Sequence, residues 1–381
     1  MIIPAHISDS LTIYLGDVLE TLKEFKDESV DCVVCSPPYW GLRDYGHERQ
    51  LGSESTPYEF VDNMVIVFRE IRRVLANYGT CWLNLGDTYN AGRNGGHAGG
   101  KKFLNEGRDL DKIYQGKSGS NVPGLKPKDL IGIPWRVALA LQDDGWWLRS
   151  DIIWAKPNPM PESIRDRPTK AHEYIFLLTK SKTYWWDKFA ASEPAKWDRW
   201  GKQTTKKKNS ESRGANLVKD RTKEEIEERF DTSKRNIRSV WEIVTKPYKG
   251  AHFAIFPEEI PKRAIEAGCP LEVCQICGEP RKRIIAKKTM VIDRSDRPEQ
   301  MGEFGKTQAS DQMLEKSGMR NEGWDKCKCA FPFYRKGVVL DPFAGSGTTL
   351  KVALELGRSA IGIDLQEDYL PLMLERCGVD G

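Results

Sequence analysis

Residues 337–349, GVVLDPFAGSGTT, constrain the fold of this chain more than any other stretch of its sequence. An apolar run ends at Asp341 and enters a turn that contains Gly345 and Gly347. Glycine lets a ligand approach the backbone, and the free N–H groups of a following helix bind polar ligands. About 20 residues later a second apolar run ends at Asp364, where a carboxylate can accept hydrogen bonds from ribose hydroxyls. The spacing predicts a strand–turn–helix–strand unit that binds a nucleoside.

A separate apolar run, residues 30–35, ends in the sequence Ser36-Pro37-Pro38-Tyr39-Trp40. Neither proline can donate a hydrogen bond to a sheet ladder, so the strand must stop there. A serine hydroxyl, a proline carbonyl and two aromatic rings are left at its carboxyl end. In an open α/β sheet this is the edge at which ligands bind.

Alternating strand and helix patterns along the chain predict an α/β protein. Further strands are expected at 11–17, 80–87, 148–157, 172–187 and 357–365, and helices at 60–79 (ending at Gly79), 128–145 and 256–268. No apolar run reaches the roughly 18 residues of a membrane helix, and the first residues lack a signal-peptide pattern. We therefore expect a cytoplasmic protein without a membrane partner.

The basic residues are concentrated in one polar segment. Residues 196–249 hold 16 Lys and Arg against 9 Asp and Glu, whereas the whole chain has a net charge of only +4. This asymmetry suits a polyanionic partner, although a solvated surface insertion would have the same composition. The Gly- and Asn-rich residues 88–124 are expected to form a long mobile loop.

Four of the nine cysteines are spaced like metal ligands. Cys274 and Cys277 form a C-x-x-C pair, and Cys327 and Cys329 a C-x-C pair. Four thiolates would make a closed structural zinc site, although the wide gap between the pairs also allows four free thiols. Cys32-x-x-Cys35 lies on a predicted strand, where the two side chains face opposite sides, so no metal role is expected.

The two strand-end motifs together resemble a known family. S-P-P-Y and D-P-F-A-G-S-G-T-T are similar to motifs IV and I of the S-adenosylmethionine-dependent DNA amino-methyltransferases. The catalytic motif precedes the cofactor motif, which is the circularly permuted order of the β group. Residues 16–22, 152–178 and 250–259 resemble motifs III, VIII and X of the same family.

This resemblance implies a seven-stranded, mostly parallel methyltransferase sheet with helices on both faces. The chain would then divide into a catalytic half (1–189), an inserted target-recognition region (190–249) and a cofactor-binding half (250–381). The last would carry a small Cys-rich insertion at 270–332. The partner would be double-stranded DNA, with a cognate restriction endonuclease as a candidate genetic partner, and the oligomeric state is left open.

The resemblance also implies roles for individual residues. Asp17 would lie beside the adenine of the cofactor and Asp364 would bind its ribose. Residues implied in cofactor binding are Asp17, Asp341, Pro342, Phe343, Gly345, Ser346, Gly347, Thr348, Thr349, Asp364, Phe256 and Pro257. The zinc hypothesis for Cys274, Cys277, Cys327 and Cys329 rests on the cysteine spacing alone and not on this resemblance.

The catalytic residues implied are Ser36, Pro37, Pro38 and Tyr39. The Ser36 hydroxyl and the Pro37 carbonyl would accept hydrogen bonds from an exocyclic amine of a flipped-out base, and Tyr39 would stack on that base. Candidates for the opposite wall, or for ordinary packing, are Trp40, Trp154, Lys156 and Pro157.

Three functions compete at this point: a sequence-specific DNA methyltransferase, an enzyme of the same chemistry that acts on RNA or protein, and an inactive nucleic-acid-binding module. Serine in the first position of the motif goes more often with cytosine N4 in this family, so N4 is preferred over adenine N6. The same chemistry on RNA or protein is disfavoured by the motif order. An inactive nucleic-acid-binding module is disfavoured by the intact motifs.

Overall fold

The computed structural model describes two compact units of the chain. The described residues are 2–42, 47, 50–90, 122, 124–194, 234–245, 256–290 and 316–379. One unit combines residues 1–186, 238–280 and 327–381, and the other combines 187–237 and 281–326. Most of the predicted loop at 88–124, most of the region 190–249 and residues 250–255 of the motif X match lie outside the described residues.

The first unit is built on a sheet of nine described strands: β1 (His6–Ile7), β2 (Leu11–Leu15), β3 (Val30–Cys35), β4 (Leu75–Leu85), β5 (Trp147–Ala155), β6 (His172–Thr179), β9 (Val240–Glu242), β14 (Val338–Asp341) and β15 (Ser359–Asp364). Their order across the sheet is β1-β2-β15-β14-β3-β4-β6-β5-β9. The small pair β10 (Glu272–Cys274) and β13 (Tyr334–Lys336) lies in the same unit.

The sheet is mostly parallel, as the sequence predicts. Strands β2, β15, β14, β3 and β4 pair in parallel, β6 is antiparallel to both β4 and β5, and β5 therefore runs with the first five. These seven strands form the expected sheet, and two short edge strands of two and three residues extend it. The carboxyl ends of the five parallel strands consequently meet at one edge.

Six α-helices and one short 3-10 helix (Glu367–Tyr369) are described, and all belong to the first unit. The α-helices are α1 (Val18–Lys23), α2 (Pro57–Val74), α3 (Ile133–Asp143), α4 (Glu259–Gly268), α5 (Thr348–Glu355) and α6 (Leu370–Arg376). Within the described part of the chain, no helix is both long and apolar enough to cross a bilayer.

Helix α2 begins and ends earlier than the sequence predicts. A capping box formed by Thr56 and Glu59 starts it at Pro57, and β4 begins already at Leu75, so the expectation of a helix ending at Gly79 is wrong. Leu75 has extended backbone angles, φ −71° and ψ 133°, and lies opposite Val30 of β3. Pairing with β3 therefore replaces the helix at this residue.

Two other boundaries also differ from the prediction. Helix α3 starts at Ile133 rather than near 128, because the Asp87 carboxylate accepts hydrogen bonds from the backbone N–H groups of Gly132 and Ile133, both at 3.0 Å. Strand β6 ends at Thr179, where its hydroxyl donates to the Ser181 carbonyl and closes a turn.

The second unit contains two antiparallel pairs. Strand β7 (Ser192–Pro194) pairs with β8 (Lys234–Asn236), and β11 (Arg283–Met290) pairs with β12 (Lys316–Trp324). Arg283 connects separate segments of this unit: its guanidinium bonds the Asp187 carboxylate at 2.8 Å and stacks 4.4 Å from the Trp324 ring centroid. Val240–Glu242, which was expected to belong to the inserted region, instead extends the large sheet.

A buried carboxylate fastens the amino end of β3 to its neighbours. Asp31 is fully buried and accepts hydrogen bonds from the Arg335 guanidinium at 2.5 Å, the Tyr78 hydroxyl at 2.6 Å and the Val338 N–H at 2.7 Å. Without this carboxylate, the donors of Arg335, Tyr78 and Val338 would lose a hydrogen-bond acceptor in a buried region with little access to water.

We predict that Asp31→Ala lowers the free energy of unfolding by about 3 kcal/mol, because it leaves these donors unpaired. Urea denaturation of the purified protein measures the change. The matched control is Asp27→Ala: Asp27 also pairs with an arginine, but its side chain is 75% exposed. The control should cost less than about 1 kcal/mol, and equal losses in the two variants would contradict the role given to Asp31.

Candidate active site

The carboxyl ends of the parallel strands border a cavity of about 610 Å³. Its wall runs from Asp17 after β2 and Asp364 at the end of β15, past Ser36 after β3, to Lys156 after β5. A volume of this size is typical of pockets for nucleotide-sized ligands. The two motifs that the sequence singles out thus line one cavity.

The glycine-rich turn between β14 and α5 forms one end of this cavity. Gly345 and Gly347 have left-handed φ angles of 52° and 78°, which disfavour other residues. The Gly345 N–H donates to the Asp364 carboxylate at 2.7 Å, and the Ser346 hydroxyl accepts from Arg376 at 2.8 Å. The turn is therefore fixed to the end of β15 and to α6.

Asp364 and Asp17 place two carboxylates at this end. Asp364 accepts from the N–H groups of Gly345 and Gln366, and burial raises its pKa. Asp17 caps α1 by accepting from the Glu20 N–H at 3.0 Å. Carboxylate oxygens have further lone pairs, so both groups can still accept hydrogen bonds from a ligand. Predicted cofactor residues that line the cavity are Asp17, Phe256, Pro342, Phe343, Gly345, Ser346, Thr348 and Asp364.

Four residues of the predicted cofactor set lie outside the cavity wall: Asp341, Gly347, Thr349 and Pro257. Asp341 is 1% exposed and accepts from the Phe343 N–H at 3.1 Å, so it supports the turn from below. Burial raises the pKa of Asp341 to about 7. Thr349 is fully buried at the start of α5.

The S-P-P-Y residues lie at the middle of the cavity, directly after β3. Ser36, Pro37, Pro38 and Tyr39 all line it. The Tyr39 ring packs on Gly86, where an added Cβ would lie 2.5 Å from Cε2 of the ring. This contact explains why glycine follows β4 here.

A hydrogen-bonded chain connects these residues to a group that sequence reasoning missed. The Ser36 hydroxyl lies 3.2 Å from the Tyr39 hydroxyl, which donates to Glu173 Oε2 at 2.7 Å. Asn84 donates to the same hydroxyl at 2.8 Å and to the Glu173 carboxylate at 3.2 Å. Glu173 and Asn84 were not predicted, although a glutamate inside the apolar strand HEYIFLL was a usable signal.

Lys156 completes this chain at the far wall of the cavity. Its ammonium forms a close ion pair with Glu173 Oε1 and lies 4.3 Å from the Trp154 ring centroid. The Trp154 indole N–H donates to the Ile243 carbonyl at 2.9 Å. Trp154 and Lys156 both line the cavity.

Two other candidates for that wall do not reach the cavity. Trp40 is 6% exposed, packs into the core and donates its indole N–H to the Glu54 carbonyl at 3.0 Å. Pro157 is exposed and is also absent from the lining. Of the two, only Trp40 has an ordinary packing position.

The four predicted metal-ligating cysteines converge at a separate place. The Sγ atoms of Cys274, Cys277, Cys327 and Cys329 lie within 4.8 Å of one another. Hydrogen bonds from the backbone, led by the Cys277 N–H, lower the pKa of Cys274 to about 6. The pKa of Cys329 is raised to about 12, and its side-chain hydrogen bond with Cys277 is the largest cause.

Comparisons with known proteins agree with this geometry. Residues 30–272 and 332–375 match the sequence model of the N6/N4 DNA methylase family. The chain is 38% identical to the Type II methyltransferase M.SmaI of Serratia marcescens over 371 residues, which cover 96% of this chain and 90% of that protein. The protein belongs to this DNA methylase family. M.XycI of Xanthomonas campestris pv. cyanopsidis is also 38% identical, covering 96% of this chain and 87% of its own.

A solved structure shares the fold of this methyltransferase. The PvuII DNA methyltransferase, described as cytosine-N4-specific, superposes with a TM-score of 0.53 at 15% identity, covering 98% of this chain and 88% of its own. The family uses S-adenosylmethionine as methyl donor. The cavity has the matching donor set: two carboxylates for hydroxyl and amine groups, two phenylalanine rings and a glycine-rich turn.

We predict that Asp341 gives the methyltransferase a pH-dependent stability. The pKa of Asp341 is about 7 in the folded protein against an ordinary 3.8, so the folded state binds its proton more tightly. The stabilisation that protonated Asp341 gives the folded state is present in full below about pH 4 and is lost as the pH rises through about 7. Relative to Asp341→Asn, which cannot ionise, the wild type should lose up to about 4 kcal/mol across this range.

Urea unfolding at a series of pH values measures this difference. The control is Asp9→Asn, at an exposed position of the same chain, which should keep the wild-type pH dependence. Parallel pH profiles for wild type and Asp341→Asn would rule out the assignment.

Proposed function

We propose that the protein methylates the exocyclic N4 of cytosine in double-stranded DNA, on a base flipped out of the helix. The observation that carries this proposal is that Ser36 and Pro37 line the same cavity as the glycine-rich turn and Asp364. A base within a duplex cannot reach such a recessed edge, so the target must leave the stack. Asp17 and Asp364 would hold S-adenosylmethionine, which would supply an electrophilic methyl group on a sulfonium when bound.

Ser36 and Pro37 would prepare the amine for attack. The lone pair of an exocyclic amine is delocalised into the ring, which makes it a poor nucleophile. Two acceptors aimed at its two hydrogens favour a pyramidal nitrogen with a localised lone pair. The Ser36 hydroxyl and the Pro37 carbonyl are held by the rigid backbone of two successive prolines, and preorganised dipoles of this kind act where charge develops.

Glu173 would receive the proton that the amine gives up. As the new N–C bond forms and the C–S bond breaks, the nitrogen becomes cationic and releases one proton. That proton can pass to the Ser36 oxygen while the Ser36 proton moves to Tyr39 and the Tyr39 proton moves to Glu173. The distances of 3.2 Å and 2.7 Å along this chain permit both transfers.

The neighbours of Glu173 keep it in position for this role. Lys156 bonds its other oxygen, and Asn84 bonds the oxygen that faces Tyr39. Because Tyr39 is held by its hydroxyl and by contact with Gly86, its ring has a fixed orientation at the cavity wall. Stacking of the target base on that ring would return about 1–3 kcal/mol of the cost of flipping.

Adenine N6 is the second candidate target. The acceptor pair serves either amine, and the family contains both activities. Serine at position 36 favours cytosine. By analogy with the Type II relatives, we place the enzyme in a restriction–modification system, with an endonuclease of the same specificity as genetic partner.

Nucleoside analysis tests the choice of base. We expect duplex DNA incubated with the protein and S-adenosylmethionine to yield N4-methylcytosine after digestion and mass spectrometry. Ser36→Ala should lower the rate by about 100-fold, because one acceptor of the pair is lost. N6-methyladenine as the product would refute the cytosine assignment and keep the enzyme class.

Glu173→Gln tests the proton path. We expect methylation to slow by about 100-fold, because glutamine keeps the shape of the side chain but cannot take the proton. Tyr39→Phe should give a similar loss, since it removes the hydroxyl and keeps the ring. Binding of S-adenosylmethionine, measured by calorimetry, should stay within a few-fold in both variants.

The matched control is Glu162→Gln. Glu162 also pairs with a cation, Arg167, but is exposed and outside the cavity. Its variant should methylate at the wild-type rate. A Glu173→Gln enzyme as fast as this control would eliminate the relay.

A further inference from the structure

The cysteine cluster is unrelated to the methyl-transfer chemistry and lies apart from the cavity lining. Its ligands come from two short segments of the first unit, Cys274–Cys277 and Cys327–Cys329. In sequence, the whole stretch 281–326 lies between them. Both segments are adjacent to the β10–β13 pair, in which Cys274 is opposite Tyr334.

The first segment has the backbone of a metal-binding knuckle. Cys274 accepts at its carbonyl from the Gly278 N–H at 2.9 Å, and Gly278 adopts a left-handed φ of 71°. This turn directs the side chains of Cys274 and Cys277 to the same side. The Cys274 N–H donates to the Glu279 carbonyl at 3.0 Å, which closes the loop behind the turn.

The second segment brings the other two sulfurs to the same point. Cys329 Sγ lies 4.0 Å from Cys274 Sγ. Tyr334 supports Cys327, with its hydroxyl 3.8 Å from the sulfur. In a tetrahedral zinc–thiolate site with bonds of about 2.3 Å, neighbouring sulfurs are about 3.8 Å apart. The cluster is therefore close to the dimensions that zinc requires.

We propose that these four cysteines bind one structural zinc ion. Soft thiolate ligands in a tetrahedral arrangement select zinc among the abundant divalent cations. The set is closed: four protein ligands leave no position for a water or a substrate, so the ion has no catalytic role. Zinc also removes the repulsion that four thiolates at this spacing would otherwise have.

The position of the site indicates what the metal stabilises. Strand β13 continues through Gly337 into β14, and the Gly337 N–H donates to the Leu271 carbonyl at 3.0 Å. An added Cβ at Gly337 would lie 2.0 Å from the Pro270 carbonyl oxygen, so the two segments are in close contact. The zinc site thus holds the amino end of β14, whereas the cavity lies at its carboxyl end.

Metal analysis of the full-length protein tests the proposal. We expect about one zinc per chain after purification without chelators, released stoichiometrically by a mercurial reagent. Replacement by Co²⁺ should give the visible bands of tetrahedral coordination and a thiolate charge-transfer band. Cys277→Ser and Cys329→Ser should each lose zinc on dialysis, whereas Cys377→Ser, outside the cluster, should retain it.

The effects on stability and cofactor binding separate this proposal from the methylation reaction. Zinc-depleted protein should unfold at a lower temperature and show faster amide exchange in β10 and β13. Its affinity for S-adenosylmethionine should remain within a few-fold. Protein that contains no zinc and shows no tetrahedral Co²⁺ spectrum, or that contains iron instead, would overturn the assignment, whatever the methylation assay shows.

Discussion

The parallel pairing of β14 with both β15 and β3 is the constraint on which the active site depends. Their common direction brings Asp364, the glycine-rich turn and Ser36 to one edge, although Ser36 and the turn are about 300 residues apart in the chain. Asp31 fixes the opposite end of β3 through its bonds to Arg335 and Val338. Because register in a buried sheet cannot slip without inverting every side chain, the distance between the glycine-rich turn and Ser36 is built into the sheet.

The cavity divides into two ends with different chemistry. At one end, carboxylates and backbone groups suit a nucleoside with hydroxyl and amine hydrogens to donate. At the other, Glu173 and Lys156 form an ion pair beside Trp154, in a wall that is largely shielded from water. Ser36 and Tyr39 stand between the two and are hydrogen-bonded to each other. In the mechanism that we propose, the residues that would hold the reacting amine would also carry its proton away, so methyl addition and proton loss would be coupled within one hydrogen-bonded chain.

The parts of this site that a sequence can reveal are those carried by local segments. S-P-P-Y and D-P-F-A-G-S-G-T-T predict strand ends, a glycine turn and a helix start, and the structure has each of them. Glu173 was missed because its partner Tyr39 is 134 residues away and meets it only through the antiparallel pairing of β4 with β6. Asp341 is the opposite case, a residue that the sequence motif assigns to cofactor contact but that the structure buries beneath the turn, outside the cavity lining. The end of α2 was misjudged because an apolar run does not distinguish a buried helix from a buried strand.

The strand order has a consequence for how the chain is made. In the sheet, β14 and β15 lie between β2 and β3, yet a ribosome produces them about 300 residues later. Until then, the edges of β2 and β3 that face each other across this gap have no strand to pair with. Their backbone N–H and C=O groups on those edges have no partner within the sheet. The pairings of β2 with β15 and of β3 with β14 can therefore form only after these later strands have been synthesised. The Asp364 end of the cavity, and with it the capacity to modify DNA, consequently cannot exist until β15 has left the ribosome.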